Sequence, residues 1–390
     1  MISRYHGQIH SIVPKGVDLT VINFLPQFFL ASNTPQGFFS LFNHLYYPEQ
    51  DWFCYIIKGG PGTGKSTLMK KIVEVSQKNK IKTELIYCSS DPNSLDAVIF
   101  PEIKKCIVDG TAPHTLDPIY PGISDKIINL GDFWNEKKLK KQKHKLLNLF
   151  ADNKKFHNNS RALLKFIGKI QNIKNSIVKN YIRSNVIEEY SEKFFKQFYD
   201  EFKSPNANCA FDHFEKLRFL DAFTPDGHTF FSETINALCA KGVYIIEDKY
   251  DLAANEFLQK IKLKMIANNF DIISCPHPIA PKDRLRAVLI PSIEVAFIAI
   301  NPITEKKLLK IKKTYKKINA ERFFDLTALK EHKNSVKFYE KIILELEKDV
   351  EINLKKALKN HDEIEKIYSS SMNYSQVDKV SNKLIRDIIS

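Results

Sequence analysis

The chain repeats itself once, at an offset of about 190 residues, and this limits its folds more than any other feature. FFLASNTPQGFF at 28–39 returns as RFLDAFTPDGHT at 218–229, and LDAVIFPEIKKCIVD at 95–109 lies without a gap over LRAVLIPSIEVAFIA at 285–299. YIIKGGPGTGKSTLMKKI at 55–72 returns as YIIEDKYDLAANEFLQKI at 244–261, with the hydrophobic frame kept and every glycine lost. More faintly, INLGDFWNEKKLKK from Ile128 resembles FDLTALKEHKNSVK from Phe324. Two lobes of similar fold are expected, residues 1–205 and 206–390, with KSPNANC around Ser204–Asn208 as the linker. A length of 390 residues is also too great for one compact core.

Within each lobe, apolar runs rich in β-branched and aromatic residues alternate with amphipathic stretches. That order predicts an α/β fold with a mostly parallel sheet sandwiched by helices, present twice. The shared TPxG motif predicts a helix start, with Thr34 or Thr224 as N-cap and proline in the first turn. Because the motif persists in both halves, Thr34, Pro35 and Gly37 are read as architecture. Each lobe then closes on a long helical extension rich in Lys, Asn and Glu.

The segment from Gly59 to Ser66, GGPGTGKS, fits G-x-x-x-x-G-K-[ST], between the apolar strand FCYII and the amphipathic helix STLMKKIVEV. Glycines at Gly59, Gly60, Gly62 and Gly64, with Pro61 and Thr63 between them, let the backbone wrap phosphate oxygens closely. The loop N–H groups and the following helix N-terminus then point at the anion. Lys65 would reach the β- and γ-phosphates, the Ser66 hydroxyl would ligate Mg²⁺, and Thr67 would help on the α-phosphate side. These residues resemble the P-loop NTPase superfamily. The whole pattern is similar to a group of bacterial ATPases built from two P-loop-like lobes. The resemblance implies the P-loop fold and Mg²⁺–nucleotide chemistry at Gly59, Gly64, Lys65 and Ser66.

Such sites add an aspartate at a strand end to hold Mg²⁺ through water, and KKCIVD offers Asp109. Its counterpart is Ala299, while Lys65 falls opposite Ala254 and Ser66 opposite Asn255. The lobe without the loop therefore lacks the aspartate too, which favours a metal role for Asp109 over a turn or cap. Gly110 follows Asp109, so a catalytic base directly after the metal aspartate is absent. Asp91, in CSSDPNS, is the first substitute as catalytic base, against an Asx turn into Pro92. His114 and Asp117, in DGTAPHTLDP, are further candidates. In the second half, KDRLR places Arg284 and Arg286 opposite Ser94 and Asp96, and either is a candidate arginine finger.

The expected function is a Mg²⁺-dependent ATPase with one nucleotide per chain and a regulatory or scaffolding second lobe. No [NT]KxD guanine motif stands in context; KNKI and EDKYD do not fit. A nucleotide or small-molecule kinase is the alternative. A nucleotide-gated nucleic-acid-binding module is another, because the net charge is +14 and the lysines cluster in stretches read as helical, from Asn135 and from Ile303. Phe150, Phe156, Phe166 and Tyr181 interleave with the first of these at core-like helical spacing. A plain solvated lysine surface is the ordinary reading of such charge runs, with an acidic partner as a further alternative. The six cysteines form no CxxC pair and read as reduced core residues of a cytoplasmic protein. VINFLPQFFLA is too short to span a membrane and is broken by Pro26. The oligomeric state is left open.

Overall fold

A computed structural model describes residues 25–112, 115–202, 215–302, 311 and 315–389. The expected linker, Cys209 and His114 lie outside the described residues. In the first lobe, β1 (Gln27–Phe29), β2 (Ala31–Thr34), β3 (Gly37–Ser40) and β4 (Phe53–Lys58) precede α1 (Lys65–Lys78). Then come β5 (Glu84–Tyr87), β6 (Leu95–Phe100), β7 (Lys105–Asp109) and β8 (Asp125–Asn129), followed by α2 (Lys143–Lys179) and α3 (Ser184–Glu201). The second lobe repeats this order with β9 (Glu215–Leu217), β10 (Asp221–Thr224), β11 (Gly227–Phe230), β12 (Gly242–Glu247) and α4 (Ala253–Ala267). It continues through β13 (Ile272–Pro276), β14 (Leu285–Ile290), β15 (Val295–Ile300), β16 (Lys316–Asn319), α5 (Lys333–Ser369) and α6 (Tyr374–Ile389).

The chain is thus a duplicated α/β fold. The six-stranded sheets run β1-β5-β6-β7-β4-β8 and β9-β13-β14-β15-β12-β16, the same order twice. Both are mostly parallel, with β6 and β14 antiparallel to their neighbours. Because β6 runs backwards, its first residues lie at the same sheet end as the last residues of β4 and β7. Three expectations need correcting. The TPxG motifs turn hairpins, not helix starts: Thr34 pairs with Gly37 and Thr224 with Gly227, and each threonine hydroxyl donates to the glycine carbonyl. The match of Ile128 to Phe324 is out of register, since Asn129 and Asn319 cap equivalent 3-10 turns and keep the offset near 190. The lysine-rich stretch from Ile303, where it is described, ends in β16 rather than in a helix.

Strand alternation explains the layering. Cys54 and Ile56 of β4, with Val243 and Ile245 of β12, point into one apolar core shared by both lobes, alongside the hairpins and a short helix at Ser232–Leu238. Phe29 and Phe219 exchange backbone hydrogen bonds of 2.9 Å across the middle of that core. Helices therefore sandwich each sheet less completely than expected: the outer face carries helices and the inner face meets the other lobe.

On the outer faces the terminal helices are exchanged. Leu384 and Ile388 of α6 pack with Leu68, Met69 and Ile72 of α1 in the first lobe. Ile187 and Phe198 of α3 pack with Phe257 and Ile261 of α4 in the second. The 37-residue helices α2 and α5, each about 55 Å long, make this possible. They run antiparallel, and buried residues recur at alternating steps of three and four (Ser160, Leu164, Ile167, Gln171, Lys174, Val178), as in a two-helix seam. Reciprocal backbone bonds lock each crossing: Asn135 N–H to Ser371 at 2.8 Å, and Arg183 N–H to Phe323 at 2.8 Å. Among the described residues, no helix is long and apolar enough to cross a membrane.

Leu384 is fully buried in this exchanged contact, so Leu384→Ala should cost about 2–5 kcal/mol in denaturant unfolding. Leu263→Ala, at a residue 63% exposed on α4, should stay within about 0.5 kcal/mol. Equal small losses would contradict the docking of α6 on the first lobe.

Candidate functional site

The glycine loop joins the end of β4 to the start of α1. Gly62 and Gly64 have φ of +68° and +90°, a region side chains disfavour, and Gly64 is the N-cap of α1. Thr63 is fully buried and its hydroxyl holds the Gly60 carbonyl at 2.9 Å, which tightens the turn. The loop amides and the positive end of α1 thus converge on one point. Lys65 donates to the carbonyls of Gly59 at 2.7 Å and Gly60 at 2.8 Å, and lies 3.5 Å from Asp109 Oδ2. Asp109 ends β7, which pairs directly with β4, and its backbone is level with Ile57. The Thr111 N–H donates to Asp109 Oδ1 at 2.9 Å, while the Thr111 hydroxyl donates to Gly59 O at 2.9 Å. Neighbouring strands therefore bring the lysine and the aspartate together across the loop.

Ser66 Oγ accepts the Leu95 N–H at 3.1 Å, and in the second lobe Asn255 Oδ1 accepts the Leu285 N–H at 2.9 Å. The two side chains do the same structural work, with Ser66 keeping a hydroxyl free to turn. Thr67 is exposed on the first turn of α1, and Pro61 is half-buried in the loop. Asp91 directs both carboxylate oxygens into its own turn, accepting from Asn93 N–H and Ser94 Oγ, which is the Asx-turn geometry. Asp117 is exposed and pairs with Lys58 at 2.9 Å.

Gly110 has a reason beyond the absence of a base. A Cβ there would lie 2.5 Å from Ile56 Cγ2 and 3.0 Å from Leu116 O, so no side chain fits directly after Asp109. A second carboxylate stands nearby instead. Asp96, on the reversed strand β6, is 5% exposed. Burial first, then the neighbouring Asp109, push its pKa up to about 8. Two sequence signals mark it: a lone charge inside the apolar run LDAVIF, and an Arg, Arg286, at the same place in the second lobe.

The arginine-finger expectation is overturned by how those arginines are held. Arg286 is 2% exposed, pairs with Asp221 at 2.8 Å and donates to Ala299 O at 3.0 Å. Arg284 donates to Asp251 O at 2.8 Å. These bonds all lie within the second lobe, where both arginines line a small cavity with Ala254 and Asn255 of α4. Where the first lobe presents loop amides, the second places the buried carboxylate of Asp248, which accepts from the N–H groups of Tyr250, Leu252 and Ala254 at 2.8–2.9 Å. An internal carboxyl group occupies that helix N-terminus, and burial raises its pKa.

The sequence reading missed the second lobe's contribution to the loop. The end of α5 and the start of α6 lie on it: Gly62 N–H donates to Glu365 Oε1 at 3.3 Å, and Tyr374 Oη donates to Gly62 O at 3.0 Å. A Cβ on Gly62 would lie 2.5 Å from the Glu365 backbone oxygen, so only glycine fits beneath α5. Trp134 and Tyr368 flank Gly60. The spacing of Glu365 was the available signal, since it stands at i+4 from His361 and i+3 from Asp362, both neighbouring positions on a helix surface.

No protein-family model, curated protein or solved structure matches the chain.

Folding raises the Asp96 pKa from 3.8 to about 8, so wild-type stability should fall as pH rises between those values and level off above them. Asp96→Asn removes that ionisation. Its lead in melting midpoint over wild type should widen by several degrees from pH 5 to pH 8 and then hold at pH 9. Parallel pH profiles would contradict the assignment.

Proposed function

We propose that this chain is a Mg²⁺-dependent ATP-binding enzyme of the P-loop NTPase superfamily, with its nucleotide site in the first lobe. The observation that carries the reading is the meeting of Lys65 and Asp109, 3.5 Å apart, at the mouth of a glycine loop that opens a helix. Loop amides from Gly62 to Ser66 and the Lys65 ammonium would hold the β- and γ-phosphates, and Ser66 with Asp109 would hold Mg²⁺. The metal supplies charge neutralisation across the phosphates. The chain's own part is positioning: a rigid amide cradle and a lysine fixed near the transferring group. Asp96, beside Asp109, becomes the candidate acid–base group, because Asp91 keeps both carboxylate oxygens in its own turn. The second lobe, with Asp248 at the corresponding helix end and Ala254 in place of the lysine, acts as a scaffold.

The closed position after Asp109 favours one second reading, a kinase of a nucleotide or other small molecule, whose acceptor hydroxyl would replace an activated water. For the nucleic-acid reading the aromatics divide: Phe150 packs on Tyr368 and Tyr181 hydrogen-bonds His332 at 2.8 Å, while Phe166 is 50% exposed. Lysines 137–145 leave an acidic partner open to test.

Phosphate release from Mg-ATP should occur with the wild-type protein and drop by at least about 100-fold in Lys65→Ala. Equal release from both would contradict an enzymatic role for the loop. ATP bound without release would leave the kinase and the nucleotide-gated readings, which added small-molecule acceptors or DNA would separate.

A further inference from the structure

Glu365 is in an unusual place for a carboxylate. It comes from the second lobe, on α5, yet it accepts from Gly62 N–H, one of the amides the glycine loop offers to an anion. Ser369 and Tyr374 fasten the same region, through a 2.6 Å bond to each other and the 3.0 Å bond from Tyr374 Oη to Gly62 O. The neighbourhood is strongly acidic: burial and the Asp91 carboxylate hold Asp362 above its usual range. The other half of the molecule supplies a comparison. At the matching positions of α2 stand Gln171, Asn172 and Asn175, where α5 has His361, Asp362 and Glu365. There the lobe's own Asp248 takes the helix-end amides. Both lobes therefore place a carboxylate against the backbone that leads into this helix. One is internal and fully buried; the other arrives from the partner lobe through a single, half-exposed contact.

We propose that Glu365 competes with the nucleotide's phosphate for the Gly62 N–H, so that loading the glycine loop releases the α5–α6 junction of the second lobe from the first. This rests on the nucleotide-site reading given above. A carboxylate and a phosphate oxygen are both acceptors and both anions; they cannot share one N–H, and in a partly buried site they repel. Binding must therefore break the Glu365 contact. The junction it leaves is the end of the antiparallel α2–α5 seam, so the nucleotide is sensed by the element that joins the lobes.

The test uses the full chain with Mg-ATP as probe, in wild type, Glu365→Ala, Glu365→Gln and Lys65→Ala. Removing the competitor should tighten ATP binding roughly tenfold in Glu365→Ala, the scale of one charge-assisted hydrogen bond. The near-isosteric Glu365→Gln, which keeps a neutral acceptor and guards against misfolding, should show a smaller gain. Amide exchange over residues 369–377 should speed up when ATP is added to wild type, and should already be fast in Glu365→Ala without it. If wild type binds ATP in a Lys65-dependent way but both Glu365 variants bind no tighter, and exchange at 369–377 ignores ATP, this inference is overturned and the nucleotide site stands. If none of the Lys65-containing proteins binds ATP, the nucleotide reading falls and takes the inference with it.

Discussion

Everything in this molecule depends on the antiparallel packing of α2 against α5. That seam carries the last helix of each half across to the other, where Leu384 and Ile388 cover one sheet and Ile187 and Phe198 cover the other. Without the crossing, each sheet would expose an apolar outer face beside its own helix. Burying a Leu or Phe side chain is worth about 1.5–3 kcal/mol, so a handful of such residues accounts for much of a domain's marginal stability. The shared core between the inner faces adds to this. The two lobes are therefore repeated in sequence but joined in space, and neither has a complete hydrophobic cover of its own.

That arrangement gives a physical reason for keeping a second lobe that lacks the glycine loop. Asp248 closes its helix end from inside, Arg286 fills the space that Asp96 occupies in the first lobe, and Asn255 reproduces the backbone contact of Ser66. Each change exchanges a group suited to a phosphate and metal for one that completes an interior. What the second lobe supplies in return is α5 and α6, the wall over Gly60 and Gly62. Its contribution lies in the contact, and that contact is stereochemically demanding, because nothing larger than glycine fits at Gly62.

Much of the first lobe was legible in the sequence. The apolar run into a glycine turn and an amphipathic helix could hardly fold otherwise, and the ungapped match of Asp109 to Ala299 put both at the ends of equivalent strands, level with Ile57 and Ile246. Other features were not readable from local pattern. TPxG suits a helix start or a tight hairpin, and the pairing of the flanking residues decides between them. The amphipathic faces of α3 and α6 announce burial but not against which lobe. Asp96 comes beside Asp109 only because β6 runs in the reversed direction, which local pattern does not report. The contact of Glu365 with Gly62 spans 303 residues of sequence, and no periodicity reports on a pair so far apart.

We propose that one half of the duplicated chain holds a nucleotide site and that the other half supports it. Calorimetric titration of the purified protein with Mg-ATP tests it most directly. One site per chain, abolished by Lys65→Ala, is the predicted result. Two sites of similar affinity, or one site indifferent to Lys65, would contradict it.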